Sequence, residues 1–482
     1  MHTRFNFSNK RINNDKILLS IIFVLITILF LMMLMPVGLE DVYISNYIMD
    51  VFCICVILIL LTVYWFKNRF DIFDPIFFIT AIYATLYFIA PMHDIIVGKY
   101  TWFGYELFQY GIKSSVIALV GYLGFYLLYF FTAIKKENTN DETAQGKEPT
   151  KPEEKDRKII VLVVMIMYGI CFAANVFYLI HSGSTNLLYV LSFGFLGQGG
   201  ESASKIESIG FISMLSYSLP TVTLLYWHYG KSKALKIILF VPMLMLQVSR
   251  GFRFFVIQIA ITFFAYYFIN KKKRPRIRTI LLFLVLVMVP VMLMTLFREA
   301  VRAGTGADLS KINVEMISKV FESAFWDNLR IYKNFYGMVG VIPSKFGYVY
   351  GRQMIIGTIV MVIPRIIWPN KISSYGGEGL KTLIGEHIAD GQAYPNLGEY
   401  YYACGVIGVI ICMAILGWFM KRIKVKGMAF ESGGLNNIVF ASVLGAMLQI
   451  IIRGYFPSNF WYVIFLLIPV WVIRFIANGK RK

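Results

Sequence analysis

Residues 271–297 read Lys271-Lys272-Lys273-Arg274-Pro275-Arg276-Ile277-Arg278-Thr279-Ile280-Leu281-Leu282-Phe283-Leu284-Val285-Leu286-Val287-Met288-Val289-Pro290-Val291-Met292-Leu293-Met294-Thr295-Leu296-Phe297. From Thr279 to Phe297 there is no charge, and at about 1.5 Å of rise per residue a helix of that length crosses a hydrocarbon layer roughly 30 Å thick. The basic cluster before it belongs on the cytoplasmic side, where short loops collect Lys and Arg. A spanning helix and its orientation are therefore both written in one stretch.

The pattern repeats in both directions. Residues 17–37, 47–66, 74–91, 112–134, 158–180, 208–228, 234–249, 252–270, 279–297, 396–420, 434–452 and 457–473 read as spans. Composition agrees: of 482 residues 58% are hydrophobic and 15% charged, whereas a soluble domain carries about 25% charged residues. That excludes a soluble enzyme, a disordered chain and a nucleic-acid-binding protein with a polar basic surface. The net charge of +20 gathers in alternate connections: the N-terminal tail, the turn with Lys67 and Arg69, the linker 135–157, Lys231 to Lys236, Lys271 to Arg278, Lys421 to Lys426 and the C-terminal tail. Such a distribution is a topology signal and suits anionic lipid headgroups.

The expected fold is an all-α polytopic integral membrane protein of about twelve transmembrane helices with both termini cytoplasmic. Residues 1–297 hold nine spans, with a linker at 135–157 whose Lys, Glu, Thr and Pro content reads as disordered. Residues 298–395 form one long external loop, and 396–482 hold the last three spans and a basic tail. The run 17–37 reads as a retained signal anchor, being longer than a signal-peptide core and lacking a small-x-small cleavage site. Met354 to Trp368 is apolar but short and contains Pro364 and Arg365. If it spanned, the basic cluster at 421–426 would face outward, so it is expected to re-enter or lie on the surface.

Candidate chemistry sits at the outer side. Arg298, Arg330, Arg352, Arg365 and Lys371 stand among Trp368, Tyr394 and other aromatics. This mixture suits a ligand with anionic and sugar-like parts, because guanidinium grips phosphate bidentately. A folded lid with solvated charges would look the same. Ser249-Arg250-Gly251-Phe252-Arg253 is the whole turn between two spans, and Arg453-Gly454 opens another. These arginines either snorkel to lipid phosphates or face a cavity as a diphosphate site. Glu399 lies just inside an apolar helix beside Tyr400; it can cap that helix or act on substrate. His387 is a candidate base or an incidental loop residue.

Other features carry less. The external segment Ser182 to Glu207 contains Gly194-x-x-Gly197-x-Gly199-Gly200 without a preceding strand pattern, which reads as a connector. Cys53, Cys55, Cys171, Cys404 and Cys412 lie inside apolar runs and read as packing residues. No phosphate-binding Gly-x-x-x-x-Gly-Lys loop, no His-Glu-x-x-His, no Gly-x-Ser-x-Gly and no Asp-x-Asp is present, so neither metal nor cofactor is expected.

Pro364-Arg365-Ile366-Ile367-Trp368-Pro369-Asn370-Lys371, then Asn396-Leu397-Gly398-Glu399-Tyr400-Tyr401 and Gly405-Val406-Ile407-Gly408, resemble the oligosaccharide repeat unit polymerases, the Wzy-type O-antigen and capsule polymerases. The Ser249-Arg250-Gly251 turn is similar to an element of the same proteins. Paired arginine motifs of some members are only partly matched, since Ser182 to Glu207 holds no arginine. The resemblance implies a glycosyltransferase at the outer face of the bacterial cytoplasmic (inner) membrane. It would join undecaprenyl-diphosphate-linked repeat units into a cell-surface polysaccharide and release undecaprenyl diphosphate. On that reading Arg250, Arg253, Arg365, Lys371 and Arg453 hold the diphosphate, and Glu399 or His387 is the base. Arg298, Arg330, Arg352, Trp368, Tyr394 and Tyr400 contact glycan. A chain-length regulator and a flippase of the same pathway are the implied protein partners. An O-antigen ligase would share the loop and the donor. A flippase would call for charge deep in many helices, and a scaffold subunit would not need arginines at 250 and 253.

Overall fold

The computed structural model describes residues 24–36, 38–68, 71–132, 154–181, 210–249, 253–302, 314–363, 368, 393–427 and 434–479. In chain order its main helices are α1 (Asp41–Lys67), α2 (Pro75–Ile96), α3 (Gly111–Phe131), α4 (Glu154–His181), α5 (Leu219–Tyr229), α6 (Lys233–Ser249) and α7 (Arg253–Asn270). They continue as α8 (Ile277–Arg302), α9 (Val314–Leu329), α10 (Tyr332–Val341), α11 (Arg352–Val362), α12 (Asn396–Gly427), α13 (Leu435–Ile452) and α14 (Phe456–Gly479). The sheet among the described residues is one hairpin, β1 (Thr101–Trp102) with β2 (Tyr105–Glu106). Phe103 and Gly104 both have positive φ in its two-residue turn, as a tight antiparallel connection requires.

Nine helices among the described residues are long and apolar enough to cross a membrane. The other three expected spans differ for local reasons. Of residues 17–37 the structure describes a helix over Val24–Met33. The run 208–228 is broken, with a helix over Gly210–Leu215, a tighter turn over Ser216–Ser218 and a fresh start at α5, where Pro220 can supply no N–H to a continuous helix. α6 is 17 residues long with Pro242 inside it. Of the apolar run at 354–368 the structure describes the 11-residue α11 over Arg352–Val362, about 16 Å long. The linker also needs a correction, because α4 begins at Glu154 and 154–157 are helical. Glu154 and Asp156 sit in the first turn, where negative charge offsets the helix dipole, and Arg157 and Lys231 pair with Glu154.

The chain divides into two compact units. The first comprises residues 1–132, 329–351 and 376–421, and the second 133–328, 352–375 and 422–482. In the first, Asp74 starts α2 by accepting from Ile76 N at 3.3 Å with Pro75 at the first position, a strong helix start. One π turn over Thr85–Ile89 interrupts α2 just before Pro91. α3 and α12 approach backbone to backbone: a Cβ on Gly417 would lie 2.3 Å from Phe125 O, and one on Gly124 3.0 Å from Ile410 O. Small residues permit such contact between membrane helices. α10, from the middle of the segment expected to be an external loop, is buried over nearly its whole length in this unit.

α12 is not one straight span. Cys404 and Gly405 leave helical geometry, with Gly405 at φ +63, a conformation that side-chain-bearing residues rarely adopt. Tyr402 O accepts from Val349 N at 3.1 Å, so a carbonyl at the break is satisfied within the protein, as membrane-depth backbone requires.

In the second unit α7 and α13 pack antiparallel. Gly445 of α13 lies against Thr262 and Gln258 of α7, and Arg453, just past α13, lies against Phe254. Phe255, Ala446, Tyr462 and Leu466 form a buried cluster joining α7, α13 and α14. α11 rests on the start of α14 through Trp461 Nε1 donating to Thr358 O at 2.7 Å and Gly357 facing Pro457.

Candidate functional site

Two of the expected arginines lie at one end of a helix pair in the second unit. The antiparallel pairing puts the first residue of α7, Arg253, and the residue after α13, Arg453, at the same end of the helix pair. Arg453 sets its guanidinium 5.8 Å from the ring centroid of Phe254. Its own turn is fixed from below: Arg453 N donates to Gln449 O at 2.7 Å, and Asn459 Nδ2 donates to Arg453 O at 2.6 Å and to Gly454 O at 3.2 Å. Gln449 Nε2 in turn donates to Asn459 Oδ1 at 3.3 Å. Arg253 Nη1 donates to Ser323 O at 2.9 Å, which ties α9 to the start of α7. Both arginines are half-buried.

The remaining basic candidates are spread out. Arg298 lies near the C-terminal end of α8, which runs on to Arg302. Arg352 is exposed at the first position of α11. Trp368 is exposed. Arg250, Arg365, Lys371 and His387 lie outside the described residues, as do the glycine-rich segment around Gly194 and residues 135–153 of the linker.

The first unit holds the others, and there the structure brings together residues that sequence reasoning missed. Arg330 does not stand on an open loop. It is buried in the turn between α9 and α10, with Nε 3.0 Å from Asp94 Oδ1 and 3.3 Å from Oδ2. Lys333 Nζ lies 2.9 Å from Asp94 Oδ2 and donates to Lys99 O at 2.5 Å. The Tyr332 hydroxyl donates to Asp94 Oδ2 at 3.0 Å. Burial pushes the Lys333 ammonium below the usual lysine value, and Asp94 opposes that shift. Burial and the same carboxylate push the Tyr332 phenol well up, so it serves as a neutral donor. Asn334 extends the cluster, accepting from Trp102 Nε1 at 2.7 Å and donating to Ala393 O at 2.7 Å.

Tyr394, Glu399 and Tyr400 are all buried in this unit. Glu399 is in the first turn of α12 and is engaged by groups around it. Leu397 N donates to the Tyr87 hydroxyl at 3.3 Å and that hydroxyl donates to Asn396 Oδ1 at 2.8 Å, so the π-turn region of α2 helps hold the start of α12. Among the described residues no three His, Cys, Asp or Glu side chains gather where they could hold a metal ion.

A multi-pass all-α membrane protein with arginines fixed at the ends of its helices is the class these observations define. The chain belongs to the family described as O-antigen polysaccharide polymerase Wzy, whose family model matches residues 17–481. Members of that family polymerise repeat units into O-antigen, and this chain is a polymerase of that kind. No curated protein and no solved structure matches the chain.

Proposed function

We propose that the chain transfers a growing glycan from undecaprenyl diphosphate to the terminal sugar of a second lipid-linked repeat unit. It does so at the outer face of the cytoplasmic membrane, with twelve spans and both termini inside. The observation that supports this reading most directly is the placement of Arg253 and Arg453 at one end of the α7–α13 pair. Lys421, Arg422, Lys424 and Lys426 close the other side of the connection that leads into α13, and the positive-inside rule assigns that side to the cytoplasm. Arg253 and Arg453 are then at headgroup level on the outer leaflet.

In the transfer, the acceptor hydroxyl oxygen attacks the donor's anomeric carbon, the bond from that carbon to the diphosphate oxygen breaks, and the electron pair leaves with the diphosphate. Negative charge grows on the leaving group. Guanidinium groups already held in place stabilise it without reorganisation at the moment of reaction. Arg453 fits this role because Phe254 and the Asn459 turn limit where it can point. Arg250, Arg365 and Lys371 are proposed as further diphosphate ligands. Arg298, Arg352, Trp368 and Tyr394 are proposed glycan contacts, together with Arg330 and Tyr400, which reach glycan only if their buried surroundings open to it. The acceptor proton passes to a base, for which Glu399 and His387 are the candidates on chemical grounds.

The test is a gel that resolves glycan length, run on purified protein with a synthetic undecaprenyl-diphosphate repeat unit. Wild type should give a ladder of multiples, and Arg453→Ala should lose it while remaining folded. An unchanged ladder in Arg453→Ala and Arg253→Ala would overturn the assignment of the leaving-group site.

A further inference from the structure

Polar groups at the centre of the first unit take no part in the chemistry above. Asn46 and Asp50 stand one turn apart on α1 and are 2% and 0% exposed. Asp50 is nine residues into α1, about 14 Å along its axis, within a stretch apolar enough to span. Asn46 Nδ2 donates to Val42 O at 2.7 Å and to Phe108 O at 2.9 Å. Those two bonds fix the amide orientation and leave Oδ1 as a free acceptor. Ser115 Oγ of α3 donates to Asp50 Oδ1 at 2.6 Å.

Three sealed atoms here have no hydrogen-bond partner: Asn46 Oδ1, Asp50 Oδ2 and the Tyr336 hydroxyl of α10. They are close together. A Cβ on Gly111 would lie 1.9 Å from Asn46 Oδ1 and 3.1 Å from Tyr336 Cε2, and the Tyr336 hydroxyl is within electrostatic reach of Asp50 and Ser115. Two of the three are pure acceptors, and one tyrosine hydroxyl can donate to only one of them. A buried carboxylate is very costly unless it takes up a proton or gains a positive partner, and among the described residues no basic side chain pairs with Asp50. A proton on Asp50 or a bound cation would supply what the site lacks.

The available atoms are all hard oxygens, which select hard cations. One carboxylate balances one charge, and no second acidic or His ligand gathers there among the described residues, which disfavours a divalent ion. We propose that Asn46, Asp50, Ser115 and Tyr336 form a buried binding site for a monovalent cation of the sodium type. A bound ion would draw α1, α3 and α10 together. Because α10 also carries Tyr332 and Lys333 at its start and sets Met338 against Gly398, ion occupancy would fix how α10 meets the start of α12.

The experiment is thermal unfolding of the full-length protein in detergent at fixed pH and ionic strength, with choline chloride replaced stepwise by sodium chloride. A ligand that binds only the folded state raises the melting temperature with its concentration. Wild type should rise by several degrees in sodium and not in choline. Asp50→Asn, which keeps the shape and removes the charge, should melt at least as high as wild type in choline and show no sodium response. Ser115→Ala should need more sodium for the same shift. Equal melting of wild type in sodium and choline would overturn the proposal. A pH scan would then show whether a proton on Asp50 or a water molecule fills the gap, and either result would replace the cation.

Discussion

Arg453 rests over Phe254 because α13 ends where α7 begins, which makes two helix-end residues 199 positions apart in the chain neighbours in space. An aromatic face under a guanidinium contributes about 0.5–2 kcal/mol, and more when desolvated. It also restricts where the charge can sit. Phe254→Ala should therefore lower polymerisation without unfolding the protein, Phe254→Tyr should retain it, and Arg453→Ala should lower it by roughly 10²-fold or more. Rates of ladder growth at saturating and limiting repeat unit check this. If Phe254→Ala affected only the yield of folded protein, the ring would be a packing residue and not a positioning one.

Arg453→Lys separates charge from shape. Lysine keeps the positive charge but offers a point charge where arginine presents a planar fork. If the group grips a diphosphate bidentately, the lysine variant should recover only a small part of the wild-type rate. Nearly full rescue, read on the same gel, would show that charge alone suffices.

The membrane-embedded fold was legible wherever a run of apolar residues was long enough, since burial in lipid leaves a direct mark on composition. Less visible were departures inside such runs. Cys404-Gly405 looks like any small pair in an apolar helix, and nothing local announces that Gly405 turns to positive φ against Tyr348. The segment 329–341 misled for the opposite reason. Arg330 and Lys333 read as loop residues, but their partner Asp94 comes from 236 positions away for Arg330, and only the tertiary fold makes them buried. Asp94 itself carried a weak signal, being a charge at the end of an apolar run with Pro91 just before it. The arginines at 253 and 453 were recognisable singly, as basic residues in tight turns between apolar runs. Their placement at one end of the α7–α13 pair was not, because helix pairing is set by side-chain packing along α7 and α13.

Asp94 balances Arg330 and Lys333 where almost no water reaches: its side chain is 1% exposed, theirs 8% and 1%. Removing one partner of a buried ion pair leaves an uncompensated charge and costs about 3–5 kcal/mol. Asp94→Asn should lower the melting temperature markedly, whereas Asp94→Glu should lose less. Adding Lys333→Met to Asp94→Asn should restore part of the loss, because the second change removes a stranded cation. A double variant no more stable than Asp94→Asn alone would show that Lys333 is held mainly by the backbone carbonyls of Lys99 and Thr101.

Gly405→Ala tests the break in α12. The new Cβ would meet the Tyr348 hydroxyl at 2.9 Å and force a side-chain-bearing residue to φ +63, a strain of about 1–3 kcal/mol. Two physical terms are therefore mixed, and a second variant separates them. Tyr348→Ala removes the hydroxyl at 2.9 Å and the ring carbons at 3.0 and 3.2 Å but leaves the backbone strain, so Gly405→Ala, measured against Tyr348→Ala alone, should recover only part of the lost stability. Full recovery would mean that the steric contact alone demands glycine at this position. No recovery would place the whole cost in the backbone, and the loss of ladder formation in both variants would then connect the break in α12 with the work of the helix segment that carries Glu399.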